Sequence, residues 1–96
     1  MKIKLLYIRK SDHPEKKWTA VFDVDGKKVR KRFGQAGADD RTLNASKQTR
    51  NAYRKRHIKA GDVNNPLTPS ALSYHILWNT EDMDFNVRDF KKRFNV

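Results

Sequence analysis

A chain of 96 residues has room for one hydrophobic core and no second domain. It has no cysteine, which excludes disulfides, thiolate nucleophiles and cysteine-ligated zinc, while ten aromatic residues argue against disorder. The formal net charge is +11, well beyond what solubility requires of a small domain, so a polyanionic partner is the economical explanation.

In chain order, Lys2–Arg9 is rich in strand-forming residues (Ile3, Leu5, Leu6, Tyr7, Ile8) and reads as a β-strand. Its apolar run is too short and too interrupted by lysine for a signal peptide. No stretch approaches the ~20 apolar residues of a membrane span. The expectation is therefore a protein that is neither secreted nor membrane-bound, and the Asn44-Ala45-Ser46 sequon is read as coincidence.

Ser11–Glu15 is a loop by its breakers. The strongest local signal follows: Trp18–Phe33, interrupted by Asp25-Gly26. Asp-Gly between two alternating runs predicts a two-residue type I′ hairpin, because both turn positions need positive φ. Pairing outward from the turn gives one face of Val24/Lys27, Phe22/Val29, Ala20/Lys31 and Trp18/Phe33, which should meet the core. The other face holds Asp23/Lys28, Val21/Arg30 and Thr19/Arg32, which places Lys28, Arg30 and Arg32 in a row on the solvent side.

Phe33-Gly34-Gln35-Ala36-Gly37 leaves the strand through a glycine turn. It lacks the Gly-Lys-Ser/Thr ending of a phosphate-binding loop. Two readings remain: a strand exit with glycines at positive φ, or a backbone nest for a phosphate beside Arg32 and Arg41. Asn44 is the expected N-cap of a helix over 45–59, closed by Gly61. This helix is poor in apolar residues, and from Arg41 to Gly61 there are seven bases and no acid. Solvated faces usually mix signs, so Arg41, Lys47, Arg50, Arg54, Lys55 and Arg56 join the sheet row as candidate phosphate contacts.

Thr68-Pro69 opens a further helix, with a threonine cap and proline in the first turn. From Pro69 to Trp78 it is apolar nearly all round, which predicts the most buried element. A last helix over 81–93 places its acids first and its bases last, in keeping with the helix dipole. The predicted fold class is α+β: a small antiparallel sheet of two to three strands followed by three helices packed on one face.

The positive charge is segregated. Residues 1–34 carry a balance of +7, residues 35–61 one of +5, and residues 62–96 one of −1. The first two thirds look built to meet an anion, and the last to form a core or meet a protein.

Enzyme chemistry finds little footing. Asp39-Asp40 is the nearest carboxylate pair, but neighbours in sequence diverge, and a turn-forming role suits them better. Glu81, Asp82 and Asp84 are explained by helix capping. His13, His57 and His75 show no metal-ligand spacing, and no Ser-His-Asp or nucleotide-binding signature occurs. No catalytic residue, metal, cofactor or small-molecule substrate is expected.

Several segments carry a resemblance: Phe33–Gly37 with Asp40 and Thr42, Arg54-Lys55-Arg56-His57, Asn65-Pro66-Leu67-Thr68, Leu72-Ser73, Ile76-Leu77-Trp78-Asn79 and Phe90-Lys91-Lys92-Arg93-Phe94. Over residues 17–96 the chain resembles a family of short basic proteins encoded by large eukaryotic DNA viruses, including algal viruses. That family more often has an aromatic near Ala38. A weaker likeness is to WGR domains, with Phe33-Gly34-Gln35 in place of the Trp-Gly-Arg triplet; this is fold-level analogy. The viral resemblance implies one of two roles. The first is a sequence-nonspecific binder of nucleic acid, DNA above all, acting on the phosphate backbone in the virion or in the host cytoplasm or nucleus. The second is a minor capsid protein docked on acidic capsid subunits. A small nuclease ranks third.

Overall fold

The computed structural model describes residues 1–96 apart from the side chain of Ala60. Three antiparallel strands, β1 (Ile3–Lys10), β2 (Lys16–Val24) and β3 (Lys27–Gln35), form a sheet of order β1-β2-β3. Helix α1 (Lys47–Ala60) follows. Helix α2 (Pro69–Leu72) then continues directly into a π-helical turn (Ser73–Leu77), and α3 (Met83–Phe94) ends the chain. The α+β reading, with three helical segments after the sheet, is the observed architecture.

The hairpin follows its turn chemistry. Asp25 and Gly26 have φ of 53° and 88°, both in the left-handed region that a type I′ turn demands. The pairs Val24↔Lys27, Phe22↔Val29, Ala20↔Lys31 and Trp18↔Phe33 form in the predicted register. The Asp23 carboxylate accepts from Gly26 N–H at 2.8 Å, and the Asp25 carboxylate accepts from Lys2 N–H, which ties the start of β1 to the turn.

A β-bulge divides β1. Leu5 pairs with Phe22 and Tyr7 with Val21, so Leu6 is the extra residue. Without the bulge, strict alternation would put Leu5 and Tyr7 on one face and Ile8 on the other. With it, Ile3, Leu5 and Ile8 fall on the core face, while Lys4, Tyr7 and Arg9 fall on the opposite one. The core is built from Leu5, Phe22 and Phe33 of the sheet with Leu72, Ile76, Leu77 and Phe90 of the helices. The apolar C-terminal third thus goes into the core, and its sheet partners are the inward residues of all three strands.

Two boundaries shift from the sequence reading. The cap of α1 is Ser46 rather than Asn44: its hydroxyl accepts from Thr49 N–H at 3.1 Å. Asn44 is drawn into the preceding turn, where its N–H donates to Asp39. The last helix starts at Met83, capped by the Asp82 carboxylate on Phe85 N–H, because Thr80 and Asp82 form a turn that holds the chain out of the helix. Thr68 caps α2 as expected, accepting from Ala71 N–H.

Candidate nucleic-acid interface

The π turn decides the fate of several arginines. Widening the helix by one residue joins Trp78 N–H to Ser73 C=O and ends the element with its last carbonyls unmet. Other segments supply the donors. Arg54 Nη1 donates to both Tyr74 O and Trp78 O at 2.9 Å, with its guanidinium 3.9 Å above the centre of the Tyr74 ring. Arg50 Nε donates to Asn79 O at 2.9 Å, and the backbone N–H of Arg41 donates to Leu77 O at 3.0 Å. The buried Asn86 side chain donates to Ile76 O and Thr80 O and accepts from Thr80 N–H and Oγ1. Cations placed at the negative end of a helix are also favoured by its dipole.

Helix α1 is thereby fastened by long side chains. Trp78, Tyr53 and His57 form a ring stack, with centroids 4.3 Å apart for the first pair and 3.8 Å for the second. Burial lowers the Arg54 pKa from its ordinary value, and the group still stays charged. Arg41 likewise turns inward: its guanidinium donates to Ala45 O and pairs with Glu81. Of the helix-region candidates, Arg41, Arg50 and Arg54 are committed to the fold, whereas Lys47, Lys55 and Arg56 project into solvent.

The glycine turn is a strand exit. Gly34 and Gly37 have φ of 80° and 81°, and a Cβ on Gly34 would stand 2.8 Å from Leu77 Cδ1. The phosphate-nest reading is not supported by its amides. Ala36 N–H donates to Glu15 O and Ala38 N–H to Gln35 O, while Arg41 points elsewhere. The acidic pair that follows serves the turn: Asp39 accepts from Asp40 and Asn44 N–H, and the buried Asp40 takes Thr42 and the Lys17 ammonium. Among the described residues no group of three His, Asp or Glu side chains is placed to hold a metal ion. Nor is any described helix long and apolar enough to cross a membrane.

The sheet's outer face is a different surface. Cross-strand register aligns Lys4, Asp23 and Lys28 in one row, Tyr7, Val21 and Arg30 in the next, and Arg9, Thr19 and Arg32 in the third. Val21 and Thr19, at the centre, are buried beneath their neighbours, which leaves a rim of Lys4, Arg9, Lys28, Arg30 and Arg32 around Tyr7. Asp23 is the acid within these rows, and it is tied to the turn. At the edge, Asp12 pairs with Arg32 at 3.3 Å, and the hydrogen bond from that guanidinium holds its carboxyl below the usual carboxylate range. Both partners are largely exposed, so the pair is weak and open to exchange.

The three residues contributed by β1 escape a sequence reading. Lys4, Tyr7 and Arg9 join Lys28, Arg30 and Arg32 only once the bulge is placed. A consecutive apolar run such as Leu5-Leu6-Tyr7-Ile8, too long for simple alternation, is the signal that marks it.

A family model matches residues 6–57, from within β1 through most of α1, and with them most bases of the chain's first two thirds, though not Lys2, Lys4 or Lys59. The chain belongs to a family of unknown function (DUF5754). No curated protein and no solved structure matches it. The matched segment of this family member runs from the second half of β1 through β2, β3, the glycine turn and most of the basic helix, and stops before the π turn that anchors them.

Proposed function

We propose that this member of DUF5754 is a non-enzymatic protein that binds nucleic acid through its phosphate backbone, without sequence readout, on the outer face of the sheet. The observation that carries the reading is the three-row register, which gathers five bases around Tyr7 on a face that no helix covers. Lys47, Lys55 and Arg56 extend the positive field along α1. The likeness to short basic proteins of large DNA viruses supplies a setting: a virion-associated protein with the viral genome as its polyanion. The alternative, a capsid protein docked on acidic subunits, has less apolar surface in the C-terminal third to draw on, since Leu72, Ile76, Leu77 and Phe90 lie in the core, while Phe85 is exposed.

The test is a salt-dependent binding titration on DNA. Five phosphate contacts give a log–log salt slope of about −3.5 on a single strand and about −4.5 on duplex DNA. A protein that fails to retard DNA even at low salt would sink this reading and favour an acidic protein partner.

A further inference from the structure

Resting on that reading, we infer that the sheet face takes single-stranded nucleic acid in preference to duplex, with Tyr7 as a stacking platform for one base and the surrounding bases holding the flanking phosphates. Tyr7 is 50% exposed although it sits in the central row of the sheet. Among the described residues no ring or guanidinium is stacked upon it, whereas Tyr53 and Tyr74 are both covered. A half-open aromatic amid cations suits an unpaired base, whose face is available. A base within a duplex is already stacked on both sides and offers only its edge in a groove.

Duplex recognition usually sends a helix or β-ribbon into the major groove. Helix α1 is the basic helix here, and Arg50 and Arg54 of that helix are turned inward onto the carbonyls of Asn79, Tyr74 and Trp78. The sheet face, by contrast, presents its cations in rows either side of the ring: Lys4 and Lys28 on one side, Arg9 and Arg32 on the other, and Arg30 in the ring's own row. Adjacent strands lie about 4.8 Å apart, so a row of three spans roughly 10 Å, enough to follow successive phosphates of an extended strand. Beneath the third row lies the buried hydroxyl of Thr19, which has no hydrogen-bond partner among the described residues. Thr19 stands in register between Arg9 and Arg32, where a displaced guanidinium would open it to a phosphate oxygen.

The bulge at Leu6 gains a purpose from this. Bulges re-aim side chains, and this one turns Tyr7 and Arg9 onto the basic face while keeping Ile8 in the core.

Fluorescence anisotropy at one salt concentration tests the inference, with ~20-nucleotide oligo(dT) and oligo(U) as single-stranded probes and a duplex of the same length. The expected result is binding to at least one single strand about tenfold tighter than to the duplex. Tyr7→Leu should lose roughly five- to a hundredfold on the single strand, the range of one stacked base, while duplex binding stays unchanged. Tyr7→Phe should bind the single strand like wild type, since stacking needs the ring and not the hydroxyl. Tyr7 is exposed, and circular dichroism of both variants checks that they are folded. Equal affinity for single strand and duplex, or an unchanged Tyr7→Leu variant, overturns the inference while leaving the nucleic-acid reading in place. Absence of binding to every probe overturns both.

Discussion

Two side chains show how completely the interior is specified residue by residue. Asn86 is fully buried and uses its amide group without remainder, donating twice and accepting twice. His75 lies among Tyr74, Phe90 and Phe94, and its Nε2 is 2.8 Å from Val63 O. A carbonyl can only accept, so Nε2 carries the proton and Nδ1 is bare in the neutral ring. Burial, reinforced by the charges of Arg93 and Arg54, pushes the His75 pKa below its ordinary value, against the hydrogen bond to Val63 and the charge of Asp89. In the unfolded chain the ring titrates near about 6.5 and takes a proton more readily than in the fold. Its contribution to stability is therefore complete above that value and lost as pH falls through the lower folded pKa. The unfolding free energy, and with it the thermal midpoint, should be level above about pH 7 and fall as acid is added, the free energy by at most about 1.4 kcal/mol per pH unit for one proton. His75→Gln, whose amide can still donate to Val63, should flatten that slope. Differential scanning calorimetry from pH 7 to 5 checks this, and an equal slope in both proteins would remove His75 as the cause.

At the scale of elements, the hairpin is legible in the sequence because Asp25-Gly26 constrains the turn and a period of two then assigns every side chain to a face. The capped start of α2 is equally legible, since Thr68-Pro69 is a local signal. The bulge, the π turn and the inward commitment of the arginines are not. The arginines' commitment depends on which backbone carbonyls a distant element leaves unmet, and a donor bound to a main-chain oxygen leaves no periodic trace in sequence, while the bulge shows only as the unbroken apolar run Leu5–Ile8. The acid-free run from Arg41 to Gly61 reads in sequence as a binding surface, yet three of its four guanidiniums, those of Arg41, Arg50 and Arg54, are fastenings. Arg54 is the strongest of them. Arg54→Met, which keeps the stem and removes the donors, should cost roughly 2–4 kcal/mol, because two carbonyls and a cation–π contact lose their partner together. Chemical denaturation measures the cost. Hydrogen exchange should show the loss first in α1, which has few buried apolar residues of its own to hold it. A variant as stable as wild type would mean that the π turn's carbonyls do not need the guanidinium.

The whole molecule divides its charge between two tasks. The basic two thirds supply both an open face and the arginines that join α1 to the body, and the neutral third supplies the core against which the sheet is laid. Removing Arg50 or Arg54 would therefore confuse folding with binding, and the interface has to be probed with cations that hold nothing. Lys28, Arg30 and Lys4 on the sheet, and Lys47, Lys55 and Arg56 on the helix, meet that condition, since all six are exposed and none has a hydrogen-bonded partner among the described residues. The most direct measurement compares two triple alanine variants, one from each set, in binding titrations on single-stranded oligo(dT) across a salt series. Removal of equal charge makes the long-range field the same in both, so a difference reports local contact. The account predicts that the sheet variant loses most of the affinity and about two units of log–log salt slope, while the helix variant keeps most of both. Greater loss in the helix variant, or equal loss in the two, would contradict it.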